Sequence, residues 1–466
     1  MAEGTVRAVI LAAGRGTRMA SRRSKVLHPV GGVPMIEHLI RAAAEAVADQ
    51  PLVVVSPEDL ELRRFLEGKA EIVLQEAPRG TGDALLAARS ALAGQGAALV
   101  LAGDMPLLTS ESLRQVLEVF QHSAIDAALL VAEVADASSF GRVVRDGQGR
   151  LARILEAADE ADRPKSAEVN CGVYVFRLPQ VWGVLDSIPI DNAQAERYLS
   201  WAPERMVGGA ELVSAGDPTE SLQVNDRIQL AAAEAAMRQR TLHRLMRSGV
   251  TVIDPSSTWV DCDVEVGQDT VIHPGTVIRG RSVIGADCQL GPFAELDGCQ
   301  VGAGSRIGRS SLRGCKLETG VEVGPFNRVR AGTVLGSRSH LGTFTEVVRS
   351  RIGAGSQVPH LSYVGDAELG DDVNVGAGTI TANWDGQSKQ RTVIEQGARL
   401  GSDTILVAPI TIGQGAYTAA GSVLTTDVPA GSLAVSRSPQ KNLEGWVARR
   451  RPDSRPVTEV AGEEEE

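Results

Sequence analysis

The chain has 466 residues, more than one hydrophobic core normally organises, so two or more domains are expected. Aromatic residues make up 3% of the chain and glycine contributes 50 residues, a balance that favours many tight turns over a bulky core. The formal net charge of -11 argues against a general nucleic-acid-binding protein, so anionic substrates would need local basic groups.

The cysteines and the apolar segments both indicate a cytoplasmic protein with no membrane partner. The number of cysteines is odd and none forms a C-x-x-C pair, which favours reduced thiols that pack as small apolar side chains. No segment approaches the roughly 18 apolar residues of a membrane span, and residues 1–7 lack the pattern of a signal peptide. The cysteines are Cys171, Cys262, Cys288, Cys299 and Cys315.

The first strand signal leads into a glycine-rich turn. Val6–Leu11 is an apolar run of strand length, and Ala12-Ala13-Gly14-Arg15-Gly16-Thr17-Arg18-Met19 follows it. Glycines allow backbone N–H groups to approach a phosphate, and Arg15, Arg18 and Lys25 add positive charge. The segment therefore predicts a nucleoside triphosphate site, with a plain strand-to-helix connection as the alternative.

Further strands alternate with Ala-rich amphipathic segments, which predicts a mostly parallel, doubly wound α/β sheet. Ligands of such sheets bind beyond the carboxyl ends of the strands. The predicted strands are Leu52–Val55, Glu71–Leu74, Ala98–Ala102 and Ala127–Val131.

Two strand ends carry candidate ligand groups. Gln75 leads into Gly80-Thr81-Gly82, where an amide and bare backbone suit a nucleotide base, although a plain loop is the alternative. Asp104 follows the strand that ends at Ala102, and a carboxylate there suits Mg²⁺ held jointly with substrate phosphates. A turn-stabilising role is the alternative for Asp104.

These motifs resemble the sugar-1-phosphate nucleotidyltransferases, and most closely the family of bifunctional bacterial N-acetylglucosamine-1-phosphate uridyltransferase/glucosamine-1-phosphate acetyltransferases. The resemblance runs through the whole N-terminal half. The matching segments are residues 11–19, 25–28, Gln75 with 80–82, 103–107, 141–143, 154–156, 168–174 and 224–227.

The resemblance implies a uridyltransferase and a role for each matching residue. The sugar phosphate would attack the α-phosphorus of UTP and release pyrophosphate, with Arg15 and Lys25 as catalytic cations and Mg²⁺ on Asp104 and Asn225. UTP would contact Leu11, Ala12, Ala13, Gly14, Lys25, Gln75, Gly80 and Thr81. N-acetylglucosamine-1-phosphate would contact Gly141, Glu156, Asn170 and Asn225.

The N-terminal half departs from the family pattern at two places. Ser24 stands where the family usually has Pro. Residues 195–201 read Ala-Glu-Arg-Tyr-Leu-Ser-Trp, where the family tends to have Gly-Glu-Tyr-Tyr-Leu-Thr-Asp. The family's sugar contacts from that segment therefore do not carry over directly.

A helical connector is predicted between two domains. Residues 225–248 have helical spacing, and Gly249 suits the end of the helix. A helix packed wholly on the first domain is the alternative to one that joins both. We expect a uridyltransferase domain at 1–227, a linker helix at 228–250, an acetyltransferase domain at 251–437 and a partly disordered tail at 438–466.

The tail carries charge runs at Arg449–Arg451 and Glu463–Glu466, which usually mark a solvated segment. Contact of the three arginines with the phosphates of CoA is the alternative.

Beyond residue 250 an aliphatic residue followed by glycine recurs, mostly at gaps of six, eleven or twelve residues, from Val266-Gly267 to Ile412-Gly413. A helix with 3.6 residues per turn cannot keep that period, whereas a parallel β-helix with three short strands per coil can. Such coils resemble the left-handed β-helix acyltransferases, which assemble as trimers with active sites between subunits. The β-helix alone does not establish an activity.

The long gap between Gly376 and Gly401 predicts a protruding loop, and His360 stands before it. Neutral histidine is a suitable general base for an amine that attacks a thioester. The family resemblance implies His360 as the base, oriented by Glu346. It also implies a glucosamine-1-phosphate site of Arg330, Tyr363, Asn374 and Lys389, and an acetyl-CoA site of Asn383, Trp384, Ser402, Ala420 and Arg437.

Three positions in this half differ from the family. Val348 stands where the family has a phosphate-binding Lys, and Arg349 or Arg351 could replace the missing charge. Trp384 stands where the family has a Tyr, and Pro359 where it has a small residue. The two resemblances together imply a homotrimeric bifunctional enzyme of UDP-N-acetylglucosamine synthesis. The alternatives are a nucleotidyltransferase with a structural β-helix, which Val348 favours, and a scaffold that binds sugar nucleotides, which Lys25, Asp104 and Asn225 together disfavour.

Overall fold

The computed structural model describes residues 5–453 except 15, 78, 138–139, 160–163, 191 and 193. The predicted catalytic residue Arg15 and the acidic run Glu463–Glu466 therefore lie outside the described residues. The chain separates into two units, residues 1–286 with 296–298 and residues 287–295 with 299–466.

The first unit contains a doubly wound α/β sheet, as the sequence predicts. Its strand order is β11-β7-β10-β6-β1-β4-β5, with the β8–β9 hairpin attached to β10. β1 is parallel to β4 and β6, while β10 is antiparallel to β6 and β7. The strands, with the separate β2–β3 hairpin, are β1 (Val6–Leu11), β2 (Pro29–Val30), β3 (Val33–Pro34), β4 (Leu52–Val55), β5 (Glu71–Leu74), β6 (Ala97–Ala102), β7 (Ala127–Val134), β8 (Arg142–Arg145), β9 (Leu151–Leu155), β10 (Ala167–Arg177) and β11 (Ala210–Ser214).

Apolar side chains are buried on both faces of this sheet, which is why the central strands read as continuous aliphatic runs. β6 begins one residue earlier than predicted, and β7 runs on to Val134. The helices of the described chain are α1 (Met35–Val47), α2 (Leu60–Leu66), α3 (Thr81–Ala87), α4 (Ser110–His122), α5 (Gln180–Ser187), α6 (Arg227–Arg247) and α7 (Trp446–Arg450).

The strand order reverses between β1 and β6. The chain continues from β1 towards β4 on one side, and β6 borders β10 on the other. Leu11 pairs with Ala102, and the Gly103 N–H donates to the Leu11 carbonyl at 2.9 Å. A Cβ at Gly103 would lie 2.6 Å from that carbonyl oxygen, so only glycine permits this approach. The residues that follow both strands therefore meet at one edge, where doubly wound sheets bind ligands.

Helix α6 connects this sheet to the first strands of the β-helix. The Asp226 carboxylate caps its first turn by accepting from the Gln229 N–H at 2.8 Å. Gly249, at φ +93°, follows its last turn. Arg240 donates to the Leu107 carbonyl at 2.7 Å, and Arg244 to the Cys262 carbonyl at 3.0 Å. The helix thus contacts both the α/β sheet and the first coils, all within the first unit.

Short strands arranged in three parallel sheets follow α6. Within the first unit they are β12 (Thr251–Val252), β13 (Trp259–Val260), β14 (Glu265–Val266), β15 (Val271–Ile272), β16 (Val277–Arg279) and β17 (Val283–Ile284). Strands β18–β41 continue the pattern at Gln289–Leu290, Glu295–Asp297, Gln300–Val301, Arg306–Ile307, Ser311–Arg313, Lys316–Leu317, Glu322–Val323, Arg328–Val329, Val334–Leu335, His340–Thr343, Glu346–Val348, Arg351–Ile352, Gln357–His360, Tyr363–Gly365, Ala367–Leu369, Asn374–Val375, Ile380–Ala382, Thr392–Ile394, Arg399–Leu400, Ile405–Val407, Ile410–Ile412, Tyr417–Thr418, Val423–Leu424 and Leu433–Ala434.

The pairing of these strands is that of a parallel β-helix with three strands per coil. In the first unit β12 pairs with β15, and in the second β27 pairs with β30. The aliphatic residues of the repeat are buried inside the coils from Ile284 to Ile412, and Val266 in the first coil is half-buried. The glycines that follow them lie against the next coil, since a Cβ at Gly342 would fall 1.9 Å from the Pro359 carbonyl oxygen. This contact explains the aliphatic-glycine pattern.

No helix in the described part of the chain has both the length and the apolar character needed to cross a bilayer.

Candidate active sites

Three predicted ligand residues meet at the edge between β1 and β6. The Lys25 Nζ lies 2.8 Å from the Asp104 Oδ2 and donates to the Asn225 Oδ1 at 3.2 Å. The Lys25 and Asp104 side chains are 14% and 16% exposed, which leaves one side of the cluster open. An ammonium group held between a carboxylate and an amide oxygen marks a position that attracts cations.

Local structure fixes both ends of this cluster. Gly16 has φ +60°, and a Cβ there would lie 2.6 Å from the Lys25 Cβ, so glycine lets the loop pass over Lys25. The Asn225 N–H donates to the Gln229 side chain at 2.7 Å, and the Val224 N–H donates to the Asp104 carbonyl at 2.9 Å. The first turn of α6 therefore positions Asn225 next to Asp104.

The predicted phosphate turn follows β1 directly. Ala12 and Ala13 are buried, and the Ala12 N–H donates to the Val54 carbonyl at 2.8 Å. Gly14 is exposed, and no atom lies within 4 Å of the position of a Cβ there. The open surface of the turn therefore begins at Gly14, while Leu11 and Ala12 supply the strand end below it.

The predicted base-binding residues are held by the segment that departs from the family pattern. Gln75 is buried, and its amide donates to the Gly80 carbonyl at 3.2 Å. The Thr81 hydroxyl accepts from the Leu199 N–H at 3.0 Å. A Cβ at Gly80, which has φ +103°, would lie 2.7 Å from the Arg197 carbonyl oxygen. Segment 196–199 thus forms one wall of the Gln75–Thr81 loop.

Arg197 anchors this wall. Its guanidinium donates to Asp83 at 2.8 Å and to the Ile188 carbonyl at 3.3 Å, and its backbone carbonyl accepts from the Gly82 N–H at 2.8 Å. The side chain is 19% exposed. The sequence predicted no role for Arg197, because the substitution by itself gives no sign of these partners.

Three predicted sugar-binding residues lie together beside β10. The Asn170 N–H donates to the Gly141 carbonyl at 2.9 Å, and a Cβ at Gly141 would lie 3.4 Å from the Glu156 Oε1. The Ser200 hydroxyl donates to the Glu156 carboxylate. The Glu156 charge also contributes to the raised pKa values of Tyr174 and Tyr198, of which burial is the larger cause. Asn225 belongs to the Lys25 cluster instead.

Cys171 lies in the bulge of β10 between Asn170 and Tyr174. It is fully buried, and burial raises the pKa of its thiol to about 12. The thiol is therefore protonated at neutral pH and packs as an apolar side chain, as predicted for the cysteines.

In the second unit, the predicted base His360 is exposed at the end of its strand, Gln357–His360. The family resemblance implies that Glu346 orients it, but the Glu346 carboxylate accepts from Arg330 at 3.3 Å. Among the described residues no hydrogen bond joins Glu346 to His360. Glu346 therefore positions the Arg330 guanidinium in this structure.

Asp366 is a contact centre for which the sequence predicted no role. Its carboxylate accepts from the Arg349 guanidinium at 2.7 and 2.8 Å and from the Asn383 amide. The Arg349 hydrogen bonds are the largest cause that holds the pKa of Asp366 below its ordinary value. Asn383 is buried by this contact, so one predicted acetyl-CoA residue already has a fixed orientation.

The predicted loop protrudes as a short hairpin. Trp384 and Lys389 form an antiparallel bridge, and the Lys389 ammonium lies 5.1 Å from the centre of the indole ring. The Asp385 carboxylate accepts from the Gln387 and Ser388 N–H groups at 2.8 and 2.7 Å. These bonds shape the turn, while Trp384 is 55% exposed. The loop thus presents an aromatic ring and a cation to solvent.

The remaining predicted residues do not form one cluster with His360. Tyr363 and Asn374 are half-buried, whereas Ser402, Ala420 and Arg437 are exposed and have no hydrogen bond to another predicted site residue in the described part of the chain. Val348 pairs with Gly365 and is 2% exposed. Its buried, apolar side chain supplies no cation.

Comparison with known families matches both halves of the chain. The family described as MobA-like NTP transferase domain matches residues 8–170. The family described as bacterial transferase hexapeptide (six repeats) matches residues 263–298. These matches agree with the doubly wound sheet and with a left-handed parallel β-helix.

Similar proteins match the chain almost from end to end, and each is named bifunctional protein GlmU. The protein from Mycolicibacterium gilvum is 41% identical over 96% of this chain and 92% of its own length. Those from Brevibacillus brevis and Streptomyces coelicolor are 42% and 41% identical, over 94% and 96% of this chain and 96% and 95% of their own lengths. The chain therefore belongs to the GlmU family of bifunctional proteins and is a transferase with acetyltransferase and uridyltransferase activities.

Proposed function

We propose that the chain makes UDP-N-acetylglucosamine in two steps. Glucosamine-1-phosphate first receives the acetyl group of acetyl-CoA, and N-acetylglucosamine-1-phosphate then receives the uridylyl group of UTP. The Lys25–Asp104–Asn225 cluster at the edge between β1 and β6 is the observation that carries this proposal. We assign uridylyl transfer to residues 1–227, a linker to 228–250, acetyl transfer to 251–437 and a tail to 438–466.

The same cluster fits a magnesium ion. Asp104 and Asn225 offer oxygen ligands, which Mg²⁺ prefers, and the Lys25 ammonium between them stands in for a cation. Mg²⁺ commonly uses one or two protein groups and takes its other ligands from phosphates and water. A site of this kind does not need three acidic, thiol or imidazole side chains, and no such group is found among the described residues. Bound Mg²⁺ would neutralise phosphate charge.

In uridylyl transfer a phosphate oxygen of the sugar bonds to the α-phosphorus of UTP, the bond to the β-phosphate breaks, and pyrophosphate leaves. The protein contributes position and positive charge, which dominate catalysis of such transfers. Gly16 lies against the Lys25 side chain, so a rotation of that side chain would move its ammonium from Asp104 towards phosphates in the turn. Gln75 and the Gly80–Thr81 backbone would bind uracil, and Gly141, Glu156 and Asn170 the acetylated sugar.

In acetyl transfer the amine of glucosamine-1-phosphate bonds to the thioester carbonyl carbon of acetyl-CoA. His360 accepts the proton that the amine loses, and the C–S bond breaks to release CoA as its thiol. The exposed ring of His360 is accessible to both substrates. Arg330, Tyr363, Asn374 and Lys389 would bind the sugar phosphate, and Asn383, Trp384, Ser402, Ala420 and Arg437 would bind acetyl-CoA.

We further propose a homotrimer in the cytoplasm. The hexapeptide repeat favours assembly, and the exposed positions of His360, Trp384 and Arg437 leave room for a neighbouring copy to complete each acetyltransferase site. No disulfide joins any of the five cysteines, all of which lie in the described part of the chain, and this suits a reducing compartment. Light scattering coupled to size-exclusion chromatography should give three times the chain mass, and a monomer would contradict the trimer.

The test measures both products in one preparation. Wild type should release CoA from acetyl-CoA with glucosamine-1-phosphate, and pyrophosphate from UTP with N-acetylglucosamine-1-phosphate. His360→Ala should lose CoA release and keep pyrophosphate release, whereas Asp104→Asn should keep CoA release and need more Mg²⁺ for pyrophosphate release. Each variant is thus the control for the other, and loss of both activities in either variant would contradict two separate sites.

A further inference from the structure

A basic pocket of about 390 Å³ lies beside the predicted acetyltransferase residues in the second unit. Arg349, Arg351, Lys389 and Arg391 supply its cations, and Asp366 is the carboxylate in its wall. The pocket opens to solvent, so a dissolved ligand can enter it. A concave surface with four cations is suited to an anionic group.

Two of the four cations already have a carboxylate partner. Arg349 makes a bidentate ion pair with Asp366 at 2.7 and 2.8 Å, and Arg391 forms an ion pair with Glu368. In the described part of the chain neither Arg351 nor Lys389 forms an ion pair with a carboxylate. Lys389 instead lies over the Trp384 ring. The pocket therefore has two cations that are available to an anionic ligand.

The pocket shares one residue with the predicted sugar-phosphate site and is joined by a hydrogen bond to a predicted acetyl-CoA residue. Lys389 belongs to both, and Asp366, which holds Arg349, also accepts from the Asn383 amide. A ligand that places its phosphate in the pocket would therefore lie next to a residue predicted to contact acetyl-CoA.

Arg351 lies close to the position where the family's cation is missing. Val348 ends one strand of the β-helix, and Arg351 begins the next strand three residues later. Val348 is buried, whereas Arg351 is exposed and lines the pocket. Arg349, which lies between Val348 and Arg351 in the sequence, forms an ion pair with Asp366. Arg351 is thus the nearest cation along the chain to Val348 that has no ion pair among the described residues.

We propose that Arg351, together with Lys389, binds the phosphate group of the amino-sugar phosphate. A guanidinium can donate two parallel hydrogen bonds to a phosphate, and an ammonium adds a point charge beside it. Arg349 and Asp366 would then act as the fixed wall that holds Asn383. The inference rests on the proposed acetyl transfer and names the residue that compensates for Val348.

The experiment compares Arg351→Gln with wild type in the full-length protein. Lys316→Gln is the matched control. Lys316 is an exposed cation in the same sheet as Arg351. Val334 lies between them, since its strand neighbours are Lys316 on one side and Arg351 on the other. CoA release gives the KM for glucosamine-1-phosphate and the KM for acetyl-CoA separately. Inorganic phosphate serves as a competitor and, in calorimetry, as a direct probe of the pocket.

We expect Arg351→Gln to raise the KM for glucosamine-1-phosphate about tenfold, the usual scale for one hydrogen bond to a charged group. The inhibition constant of inorganic phosphate should rise with it, while the KM for acetyl-CoA and the Lys316→Gln variant should stay close to wild type. A rise in the KM for acetyl-CoA alone would place a CoA phosphate in the pocket and overturn the proposal. Unchanged constants would also overturn it.

The two proposals fail in different ways. If wild type releases no CoA, the proposed acetyl transfer fails, and calorimetry with inorganic phosphate still tests the pocket. Binding to wild type that Arg351→Gln loses would support an anion site there. Equal binding to the two proteins, or none to wild type, would contradict it.

Discussion

The Lys25 ammonium lies 2.8 Å from the Asp104 carboxylate. The group proposed to bind phosphate thus neutralises the group proposed to bind magnesium. Loading the site would exchange one partner for another on both residues, a phosphate for Lys25 and the metal for Asp104.

Asp104→Asn should raise the Mg²⁺ concentration for half-maximal pyrophosphate release by about tenfold or more, because a neutral amide is a weaker ligand than a carboxylate. A Mg²⁺ titration at saturating UTP measures this. Asp186→Asn is the control, since Asp186 is an exposed partner of Arg89. An unchanged Mg²⁺ requirement would remove Asp104 from the metal site.

Arg197→Ala should destabilise the first unit by about 2–4 kcal/mol, because it leaves Asp83 without its cation and the Ile188 carbonyl without its donor. Urea unfolding measures the loss. Arg89→Ala is the control, since its ion pair with Asp186 is exposed and should contribute within about 1 kcal/mol. The KM for UTP should also rise, because Arg197 supports the Gly80–Thr81 loop. Equal stability of the two variants would contradict the anchoring role.

The Arg349–Asp366 pair should make stability depend on pH. Arg349 holds the pKa of Asp366 below its ordinary value of 3.8, so the folded protein binds the proton less tightly than the unfolded chain. The stabilisation is therefore present above about pH 4 and is lost as the pH falls through the folded-state pKa. Because Arg349 is 48% exposed, we expect roughly 1 kcal/mol at pH 7.

Urea unfolding of wild type, Asp366→Asn, Arg349→Gln and the double variant at pH 7 and pH 3 checks this expectation. The double-mutant cycle should show a stabilising coupling free energy at pH 7 and a smaller one at pH 3. A coupling that grows as the pH falls would have the wrong sign.

The buried Cys171 thiol should not react in the folded protein. Burial raises the pKa of Cys171 to about 12, so at pH 8 only on the order of 1 thiol in 10,000 is ionised. Iodoacetamide at pH 8, followed by mass spectrometry, should leave Cys171 unmodified in native protein and modify it in urea. Rapid labelling of the native protein would show that β10 opens.

Local patterns predicted the fold well because each has one dominant cause. Val6–Leu11 reads as a strand since both faces of the sheet are covered, and the aliphatic-glycine repeat follows from the approach of adjacent coils. Strand ends of a doubly wound sheet share one edge, so the sequence pattern also predicted that Asp104 lies near the turn that leads to Lys25. The place of Asn225 beside them came only from the family resemblance.

Contacts between side chains that are distant in sequence could not be predicted from the sequence. Nothing in the residues around Glu346 distinguishes a partner at His360 from one at Arg330, and the structure has the second. The partners of Arg197 and Asp366 depend in the same way on segments that only the folded chain brings together.

Helix α6 has 21 residues and is therefore about 30 Å long. Asn225 stands just before its first turn, and Arg244 in its last turn holds the Cys262 carbonyl. A fragment cut at residue 250 would lose that contact and the packing of Cys262 against the buried cluster that contains Met237. The shortest fragment able to carry out uridylyl transfer by itself should accordingly extend past the helix into the first coils. A gene that encodes this activity alone would therefore still have to encode the first coils of the β-helix.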